Sequence, residues 1–463
     1  MTAIRSALAL CALSLCALAS QAQTTPAMST LAAFYPSKPS GNLVRGSDGA
    51  LYGAASYTSS VSSGVIYRAT IDGSSITTLY QIRPTEALDP ASGLLLGSDG
   101  RLYGTTRFGN SSQPAGAGTI FSVKQDGTDF KILHRFDDQA TSSTSVVTND
   151  DGAFPDSELT EGSDGNLYGI ARVGGTGGSG TVFKMARDGS NFQVLYTFSA
   201  TTEDAVTKLK ENADGAFPAG QLVQGSDGFL YGAASGGGEN GRGTLFKVAA
   251  DGSGFQVLHT FSATTQNATT FLQENAEGAV PLAGLTDGGD GFFYGVASNG
   301  GQGLGTVFAV PADGSSFSVL HRFDGPTGSS PVAELTLGAD GKLYGTATSG
   351  GVTSTGTTSS LGVIFSIERN GANFNRLHSF DGSVGNAPSS KLVEITTGDL
   401  IGTVNSGGRC GAVYGAIYRW SAAGTQYSGD TTCGVTNDDG GGSAGPALLL
   451  LLGGLAWLRR RPS

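Results

Sequence analysis

Residues 222–261 read LVQGSDGFLYGAASGGGENGRGTLFKVAADGSGFQVLHTF, and this stretch decides the fold. It runs from a Leu through Gly-Ser-Asp-Gly into Leu-Tyr-Gly. A glycine-rich gap then leads to Thr-Leu-Phe, and an Asp-Gly pair precedes Phe-Gln-Val-Leu-His-Thr-Phe. Asp-Gly pairs favour tight hairpin turns, because glycine adopts a positive φ at little cost. The stretch therefore predicts four short strands separated by turns.

The first part of this stretch recurs along the chain. Copies run from a Leu to the Gly of Leu-Tyr-Gly at 43–53, 94–104, 159–169, 222–232, 285–295, 335–345 and, in degenerate form, 392–402. The Asp residues of the first six copies lie 51, 65, 63, 63 and 50 residues apart. Such spacing indicates a constant core unit with variable insertions.

The fourth predicted strand is apolar on both faces, as expected of a sheet that lies between two others. Four-stranded units repeated around an axis form a β-propeller, which leaves only short, protected edges. We predict an all-β fold, a seven-bladed β-propeller of four-stranded blades, with six or eight blades as the alternatives. The seventh copy loses its fourth-strand pattern after Trp420, and residues 31–36 resemble the end of such a strand. An N-terminal strand is therefore predicted to close the ring.

The N-terminus is predicted to direct export. Arg5 precedes an apolar run from Ala7 to Ala19 that is too short to span a bilayer, and small residues follow it. Residues 1–22 therefore fit a cleaved signal peptide, with a lipoprotein signal as the alternative. The propeller is predicted to occupy residues 23–434.

The C-terminus has three parts in a fixed order. A Gly-rich linker (435–445) leads to a hydrophobic tail (446–463) that ends in an arginine cluster. This order resembles the GlyGly-CTERM sorting tail of Gram-negative bacteria. The resemblance implies a membrane-embedded sorting protease as a partner and release or re-anchoring at the cell surface. A simple C-terminal membrane anchor is the alternative, because the apolar stretch is shorter than the ~20 residues of a spanning helix.

Composition restricts the environment and the partners. Cys410 and Cys433 are the two cysteines outside the predicted signal peptide, and such a pair in an exported protein predicts a disulfide. The net charge of −11 and the absence of a basic stripe before the tail argue against nucleic acid. Membrane contact is expected only through the tail. The predicted location is the cell surface, the outer membrane or the extracellular space.

The repeats themselves resemble the tandem GloVer (Gloeo/Verruco) repeat family. The resemblance rests on GSDGNLYG at 162–169, GTVFK at 180–184 and DGSNFQVLYTF at 188–198, and it extends over most of residues 30–420. Members combine such arrays with C-terminal surface anchors. The family implies no activity, so the resemblance adds an architecture and a surface location.

The repeated polar residues favour structural roles. All four histidines occupy one position of the fourth strand, where Tyr80 and Tyr196 replace them in other copies. This position predicts an inter-blade hydrogen bond. The Asp of each Gly-Ser-Asp-Gly motif is expected to bond its own turn. The glycine-rich gaps lack the Lys-Ser/Thr of a phosphate-binding loop.

Three long insertions precede the third, fourth and fifth copies, at 137–158, 199–221 and 262–284. In a propeller these connections share a face with the loops between strands two and three, and loops on a rigid scaffold often carry function. The candidate binding residues are the carboxylates of these insertions: Asp150, Asp151, Glu211, Asp214, Glu274 and Glu277. They are expected either to bind Ca²⁺, alone or with a polysaccharide, or only to hold the turn before a proline.

Three functions remain open. The first is a non-enzymatic surface module that binds a glycan, matrix or protein ligand, and a purely structural surface part cannot be separated from it. The alternative is a polysaccharide hydrolase or lyase that uses carboxylates of the three insertions. Repetition of the polar residues favours binding, because an active site usually carries unique residues. No catalytic residue is assigned, no cofactor other than Ca²⁺ is expected, and the metal content stays open.

Overall fold

The structure is a computed structural model, and it describes residues 25–34, 37–57, 64–109, 116–137, 140–141, 147–353, 355–407 and 414–426. The predicted signal peptide, Cys410, Cys433 and the predicted C-terminal tail lie outside these ranges. No helix in the described ranges is long and apolar enough to cross a membrane.

Each repeat forms one blade, an antiparallel sheet of strands that we letter a to d in order across the sheet. The Leu-led segment forms strand a and Leu-Tyr-Gly forms strand b. The Gly-Ser-Asp-Gly motif makes the turn between them, where the Gly225 amide donates to the Phe229 carbonyl at 2.9 Å. Strands c and d come from the Thr-x-Phe and Val-Leu-His segments. The assignment of strands to sequence motifs is therefore as predicted.

Seven blades make up the ring. Their strands, from a to d, are Ser37–Arg45, Leu51–Tyr57, Gly64–Ala69 and Ile76–Gln81 in blade 1; Leu88–Pro90 with Leu95–Leu96, Arg101–Phe108, Thr119–Lys124 and Lys131–Arg135 in blade 2; Thr160–Glu161, Leu167–Ala171, Thr181–Met185 and Gln193–Thr197 in blade 3; Ala216–Gln224, Phe229–Gly236, Thr244–Ala249 and Gln256–Thr260 in blade 4; Thr286–Asp287, Phe292–Ala297, Thr306–Pro311 and Ser318–Arg322 in blade 5; Thr336–Leu337, Leu343–Ala347, Val363–Ile367 and Asn375–Ser379 in blade 6; and Asn386–Pro388 with Val393–Thr396, Asp399–Ser406, Ala416–Ser421 and Ala27–Ala33 in blade 7.

Blade 7 joins the two ends of the described chain. Ala27–Ala33 is its strand d and pairs antiparallel with Ala416–Ser421, in a register that runs from Ala27 opposite Ser421 to Ala33 opposite Ala416. The Phe34 amide extends this ladder to the Gly415 carbonyl at 3.1 Å. The predicted seven-bladed ring and its closure by an N-terminal strand are confirmed.

The three long insertions fold into small hairpins outside the blades. Each hairpin lies between strand d of blade 2, 3 or 4 and strand a of the next blade, and consists of two two-residue strands. The hairpin strands are Ala140–Thr141 with Val147–Thr148, Thr202–Glu203 with Lys210–Glu211, and Thr265–Gln266 with Gln273–Glu274. The d-to-a and b-to-c connections emerge on one side of the ring, which we call the loop face.

The hydrophobic core lies between neighbouring blades. One cluster joins Tyr103 and Phe136 of blade 2 to Leu167 and Phe183 of blade 3, all almost fully buried. Within a blade, the glycine of Leu-Tyr-Gly leaves room for the aromatic ring of strand c, because a Cβ on Gly104 would lie 2.5 Å from the ζ carbon of Phe121. Both faces of a blade are thus apolar because each faces another blade.

Candidate functional site

The histidine or tyrosine that recurs in strand d contacts the next blade. The His134 ring stacks on Phe192 of blade 3, with ring centroids 3.7 Å apart. Tyr196 stacks in the same way on Phe255 of blade 4 at 3.6 Å. Burial lowers the pKa of His321 to about 4, so that imidazole is neutral near pH 7. These rings pack against the next blade by aromatic stacking, a contact that the sequence did not predict. The predicted hydrogen bond is not a general feature of the position, because Nε2 of His259 and of His378 finds no hydrogen-bond partner within the described residues.

Two of the six candidate binding residues accept hydrogen bonds from these rings or their neighbours. Nε2 of His134 lies 3.0 Å from Oδ2 of Asp151. The Tyr196 hydroxyl donates to Asp214 at 2.8 Å, and the Ser199 amide donates to the same carboxylate at 2.9 Å. Asp151 and Asp214 are both buried. Each carboxylate therefore fastens the start of its insertion to strand d of the preceding blade.

Two more candidates have partners in the third insertion. Glu277 accepts a hydrogen bond from the Ser262 amide at 3.1 Å. Nε2 of His259 lies 3.3 Å from Glu277, outside hydrogen-bond geometry. Glu274 accepts a hydrogen bond from the Asn267 side chain at 3.0 Å. These carboxylates are held inside their own insertion.

The remaining candidates differ in exposure. Asp150 is exposed, whereas Glu211 is partly buried in a hairpin strand. Across the described part of the chain, no group of three or more His, Cys, Asp or Glu side chains is placed to hold a metal ion. The six predicted residues therefore lie in three successive insertions. The four that have hydrogen-bond partners bond only to their own insertion or to the strand d before it.

The repeated Asp of the a-to-b turn bonds its own turn as predicted. Oδ1 of Asp164 accepts the Asn166 amide at 3.0 Å, and Oδ2 accepts the Tyr168 hydroxyl at 2.7 Å. The same Asp–Tyr hydrogen bond occurs in blades 1 to 6, with Tyr52, Tyr103, Tyr168, Tyr231, Tyr294 and Tyr344 as donors. The seventh copy lacks both partners, and Ile401 stands at the Tyr position.

Sequence reasoning missed a polar cluster on the propeller axis. All seven blades contribute to a central cavity of about 130 Å³. Its lining includes five residues that immediately precede the first Leu of their repeats: Asn42, Gly93, Glu158, Gln221 and Glu334. Gly284 and Lys391 hold the same position in blades 5 and 7 and lie beside Glu334. These seven positions carry five residue types, unlike the repeated positions around them.

Hydrogen bonds cross the axis between blades that are not neighbours. The Asn42 amide of blade 1 donates to Glu158 of blade 3 at 3.0 Å. The Gln221 backbone amide of blade 4 donates to Glu334 of blade 6 at 2.8 Å. Nζ of Lys391 lies 3.3 Å from the same Glu334 carboxylate. The axial cluster therefore ties distant blades together.

Burial and mutual repulsion shift the ionisation of this cluster. The surrounding protein encloses Glu158, and this burial, with the nearby Glu334 charge, raises the pKa of Glu158 to about 7. Burial opposes the charge on Lys391, but the Glu334 and Glu158 carboxylates outweigh it and raise the pKa of the ammonium. The cluster can therefore hold or release one proton near neutral pH.

An open depression of about 430 Å³ lies on the loop face over blades 2 to 4. Its polar residues are Arg107 at the end of strand b of blade 2, Arg172 after strand b of blade 3, and Asp156. The guanidinium groups lie 3.3 Å and 3.7 Å from the Asp156 carboxylate. Burial raises the pKa of Asp156, while the two arginines oppose this rise. We call these residues, with Phe154, Val173 and Phe217, the arginine depression.

These polar residues break the repeat. Arg107 and Arg172 hold equivalent positions, which other blades fill with Ser56, Ser235, Ser298, Thr348 and Asn405. Asp156 follows a proline that every copy carries four positions before its first Leu, and the other blades have Ser, Ala, Leu or Val after that proline. Alignment of the seven copies by that proline would have exposed both this difference and the variable axial position.

Two aromatic residues of the depression have unusual backbone conformations. Phe154 and Phe217 each precede a proline and have φ values of 56° and 57°. Val280, Ser330 and Ala387 share this conformation at the equivalent sites, so it belongs to the repeat. Only blades 3 and 4 place an aromatic ring there. The depression thus combines guanidinium donors with apolar surface, which suits binding of an amphipathic ring-shaped ligand.

Comparison with known proteins gives one family and a set of distant folds. The Gloeobacter/Verrucomicrobia repeat matches residues 17–209 and 147–271. No curated protein matches the sequence.

Three solved structures illustrate the distant fold similarity. A Mycobacterium tuberculosis puromycin-hydrolyzing peptidase has a TM-score of 0.47 at 12% identity, over 80% of this chain and 49% of that chain. The extracellular domain of a proposed one-component system from B. thetaiotaomicron has a TM-score of 0.47 at 9% identity, over 85% and 40%. An oligogalacturonate lyase in complex with manganese has a TM-score of 0.46 at 11% identity, over 86% and 98%.

Proposed function

This chain belongs to the Gloeobacter/Verrucomicrobia repeat family, and we propose that it is an exported, surface-anchored β-propeller that acts as a non-enzymatic binding or structural module. Its ligand would be a glycan, a matrix component or a protein. The observation that carries the proposal is the asymmetry of the loop face. Arg107, Arg172 and Asp156 occur together at one place on the loop face, at positions where the other blades carry neither arginine nor aspartate.

The hairpins support a binding role for the same face. Val206 and Phe271, at the turns of the second and third hairpins, are 88% and 71% exposed. Apolar side chains with this exposure contribute little to the core and are accessible to a partner. The loop face therefore offers both a polar depression and apolar projections to a partner.

The carboxylates of the insertions give less support to a hydrolase or lyase. Asp151 and Asp214 are buried, and each is hydrogen-bonded both to its own insertion and to strand d of the preceding blade. A glycosidase needs two carboxyl groups about 5 to 9.5 Å apart on either side of the scissile bond. Ca²⁺ at these insertions belongs to the same proposal, and it would have to compete with the existing hydrogen bonds of those carboxylates.

The surface location is proposed from the two ends of the sequence. The signal peptide at 1–22, the disulfide between Cys410 and Cys433 and the GlyGly-CTERM-type tail at 446–463 would together export, stabilise and sort the propeller. The sorting protease would be the partner at the tail. An epitope inserted in the hairpin at 203–210 should be labelled on intact Gram-negative cells, and labelling only after lysis would contradict this location.

A glycan array with the purified chain, with and without Ca²⁺, tests the binding function. A hit that is retained by Arg187→Gln but lost when Arg107 and Arg172 are both changed to Gln would support binding at the loop face. A blank array would argue against a glycan ligand and favour a protein or structural role. Turnover of a polysaccharide that one carboxylate substitution abolishes would overturn the non-enzymatic proposal.

A further inference from the structure

The two arginines of the depression have N–H donors that make no hydrogen bond within the described residues. Arg107 and Arg172 are 42% and 45% exposed. Arg107 makes one hydrogen bond to Asp156 at 3.3 Å and lies 3.8 Å from Asp89, while Arg172 lies 3.7 Å from Asp156. A guanidinium carries five N–H donors, and its strongest contacts are bidentate. These long, single contacts leave most of the donors directed to solvent.

Acceptors in the depression are scarce by comparison. Asp156 is only 14% exposed, and both arginines share its carboxylate. Asp89 is 32% exposed but is not part of the lining. A ligand that enters therefore meets donors and must bring its own acceptors. Asp156 acts as a positioning residue that holds the two guanidinium groups on one side of the depression.

The rest of the lining is apolar. Phe154, Val173 and Phe217 provide it, and the two phenylalanines come from adjacent blades. The Phe154 ring also contacts the edge of Phe108, with centroids 5.6 Å apart, which restricts its rotation. A flat ligand ring can lie on such a surface while one of its substituents reaches the arginines.

We propose that the arginine depression binds an acidic saccharide, with its carboxylate on Arg107 and Arg172 and its sugar ring against Phe154 and Phe217. This inference rests on the proposed binding function and names its ligand class. A sugar carboxylate is planar and matches the guanidinium fork, so it can accept the bidentate bonds that Asp156 does not. Because the chain carries a net charge of −11, its overall field repels anions, and an anion can bind only where local cations such as Arg107 and Arg172 outweigh that repulsion.

Calorimetry with the purified full-length chain and an alginate trisaccharide tests the inference. The matched ligand control is the same trisaccharide with its carboxyl groups methyl-esterified, which removes the charge and keeps the rings. The variants are Arg107→Gln and Arg172→Gln. The matched protein control is Arg187→Gln, because Arg187 is also in blade 3, 36% exposed and paired with a carboxylate, that of Glu161.

We expect the acid to bind at least tenfold more tightly than its ester. Each variant in the depression should lose at least tenfold in affinity, whereas Arg187→Gln should bind as the wild type does. Equal binding of acid and ester, or unchanged binding in both variants, would overturn the inference. Binding of neutral glycans or proteins without binding of the acid would also overturn it and would leave the proposed binding function standing. Absence of any binding partner would contradict both.

Discussion

The residue immediately before the first Leu of each repeat lies near the propeller axis. Side chains of different blades contact one another there, so the residue that suits one blade depends on the residues in the others. A charged residue therefore cannot occupy all seven positions. Seven glutamates would place seven negative charges around a cavity of about 130 Å³. The chain instead combines Glu158, Glu334 and Lys391 with amides and glycines. Each charge at the axis then has a partner of opposite sign or a hydrogen-bond donor.

Glu158→Gln should change how stability depends on pH. The pKa of Glu158 is raised from 4.5 to about 7 by burial and by Glu334, so between these values the folded chain holds a proton that the unfolded chain has lost. The contribution of Glu158 to the free energy of unfolding should fall as pH rises through this window, by roughly 2 to 3 kcal/mol. His321, whose pKa is lowered to about 4, changes stability in the opposite direction in wild type and variant alike, so the comparison of the two isolates Glu158. A glutamine side chain cannot ionise, so the variant should lack this decrease. Urea unfolding at pH 4.5, 6 and 8 measures it.

The control for this titration is Glu203→Gln, since Glu203 lies in a hairpin with its side chain 57% exposed. Its pH profile should follow that of the wild type. If the difference in the free energy of unfolding between wild type and Glu158→Gln were the same at pH 4.5 and pH 8, the axial proton would not reside on Glu158.

At the scale of the element, the Gly-Ser-Asp-Gly turn works as a unit with the tyrosine of strand b. The Asp carboxylate bonds the turn through one oxygen and the Tyr hydroxyl through the other. Blade 7 shows that a blade can form without this pair, because there a buried Ile401 replaces the tyrosine. The pair therefore stabilises a turn that the backbone can make by itself.

Tyr168→Phe and Tyr418→Phe should have opposite effects on stability. Tyr168 is fully buried and donates to Asp164 at 2.7 Å, so loss of the hydroxyl should cost about 1 to 3 kcal/mol. The buried Tyr418 hydroxyl finds no hydrogen-bond partner within the described residues. Its removal should leave the free energy of unfolding unchanged or raise it. Chemical denaturation of the two variants measures both effects, and a loss of equal size in both would show that the Tyr418 hydroxyl also has a stabilising hydrogen-bond partner.

At the scale of the whole molecule, closure of the ring depends on seven residues from the start of the propeller. Deletion of Ala27–Ala33 would expose the edge of Ala416–Ser421, remove the buried Leu31 and uncover the residues that pack against it. We expect a loss of at least several kcal/mol in the free energy of unfolding, because burial of each large apolar side chain contributes about 1.5 to 3 kcal/mol. An exposed strand edge should also promote association.

The matched control removes a similar length of chain elsewhere. Replacement of 203–210 by two glycines shortens a hairpin that pairs with no blade. Loop length changes stability only slightly, so this variant should unfold at nearly the wild-type urea concentration. If both deletions had the same small effect, the N-terminal strand would not hold the ring closed.

Most of the fold follows from local sequence. The turn at Asp227-Gly228, the alternation in residues 255–261 and the sevenfold recurrence predicted strands, blades and ring closure correctly. The structural roles of the histidines and of the turn aspartates were predictable for the same reason, since a residue that repeats around a ring meets the same surroundings in every blade.

The candidate site was less predictable. The insertions were correctly identified as additions to the core, but the sequence could not show that Asp151 and Asp214 turn inward to bond strand d. It also could not show that Arg107 and Arg172, which lie 65 positions apart, flank one carboxylate. The proximity of such residues depends on how the blades pack together.

The sequence by itself determined the four-stranded blade, because turns and strand alternation are set by neighbouring residues. It favoured seven blades over six or eight and identified the segment that closes the ring, and the structure agrees with both predictions. Only the tertiary structure decided what lies on the axis and in the arginine depression. Glu158 and Glu334 are far apart in the chain, and they share one cavity because the ring curves until strand a of every blade faces its centre. Contacts of this kind depend on the curvature of the closed ring, which no single repeat contains.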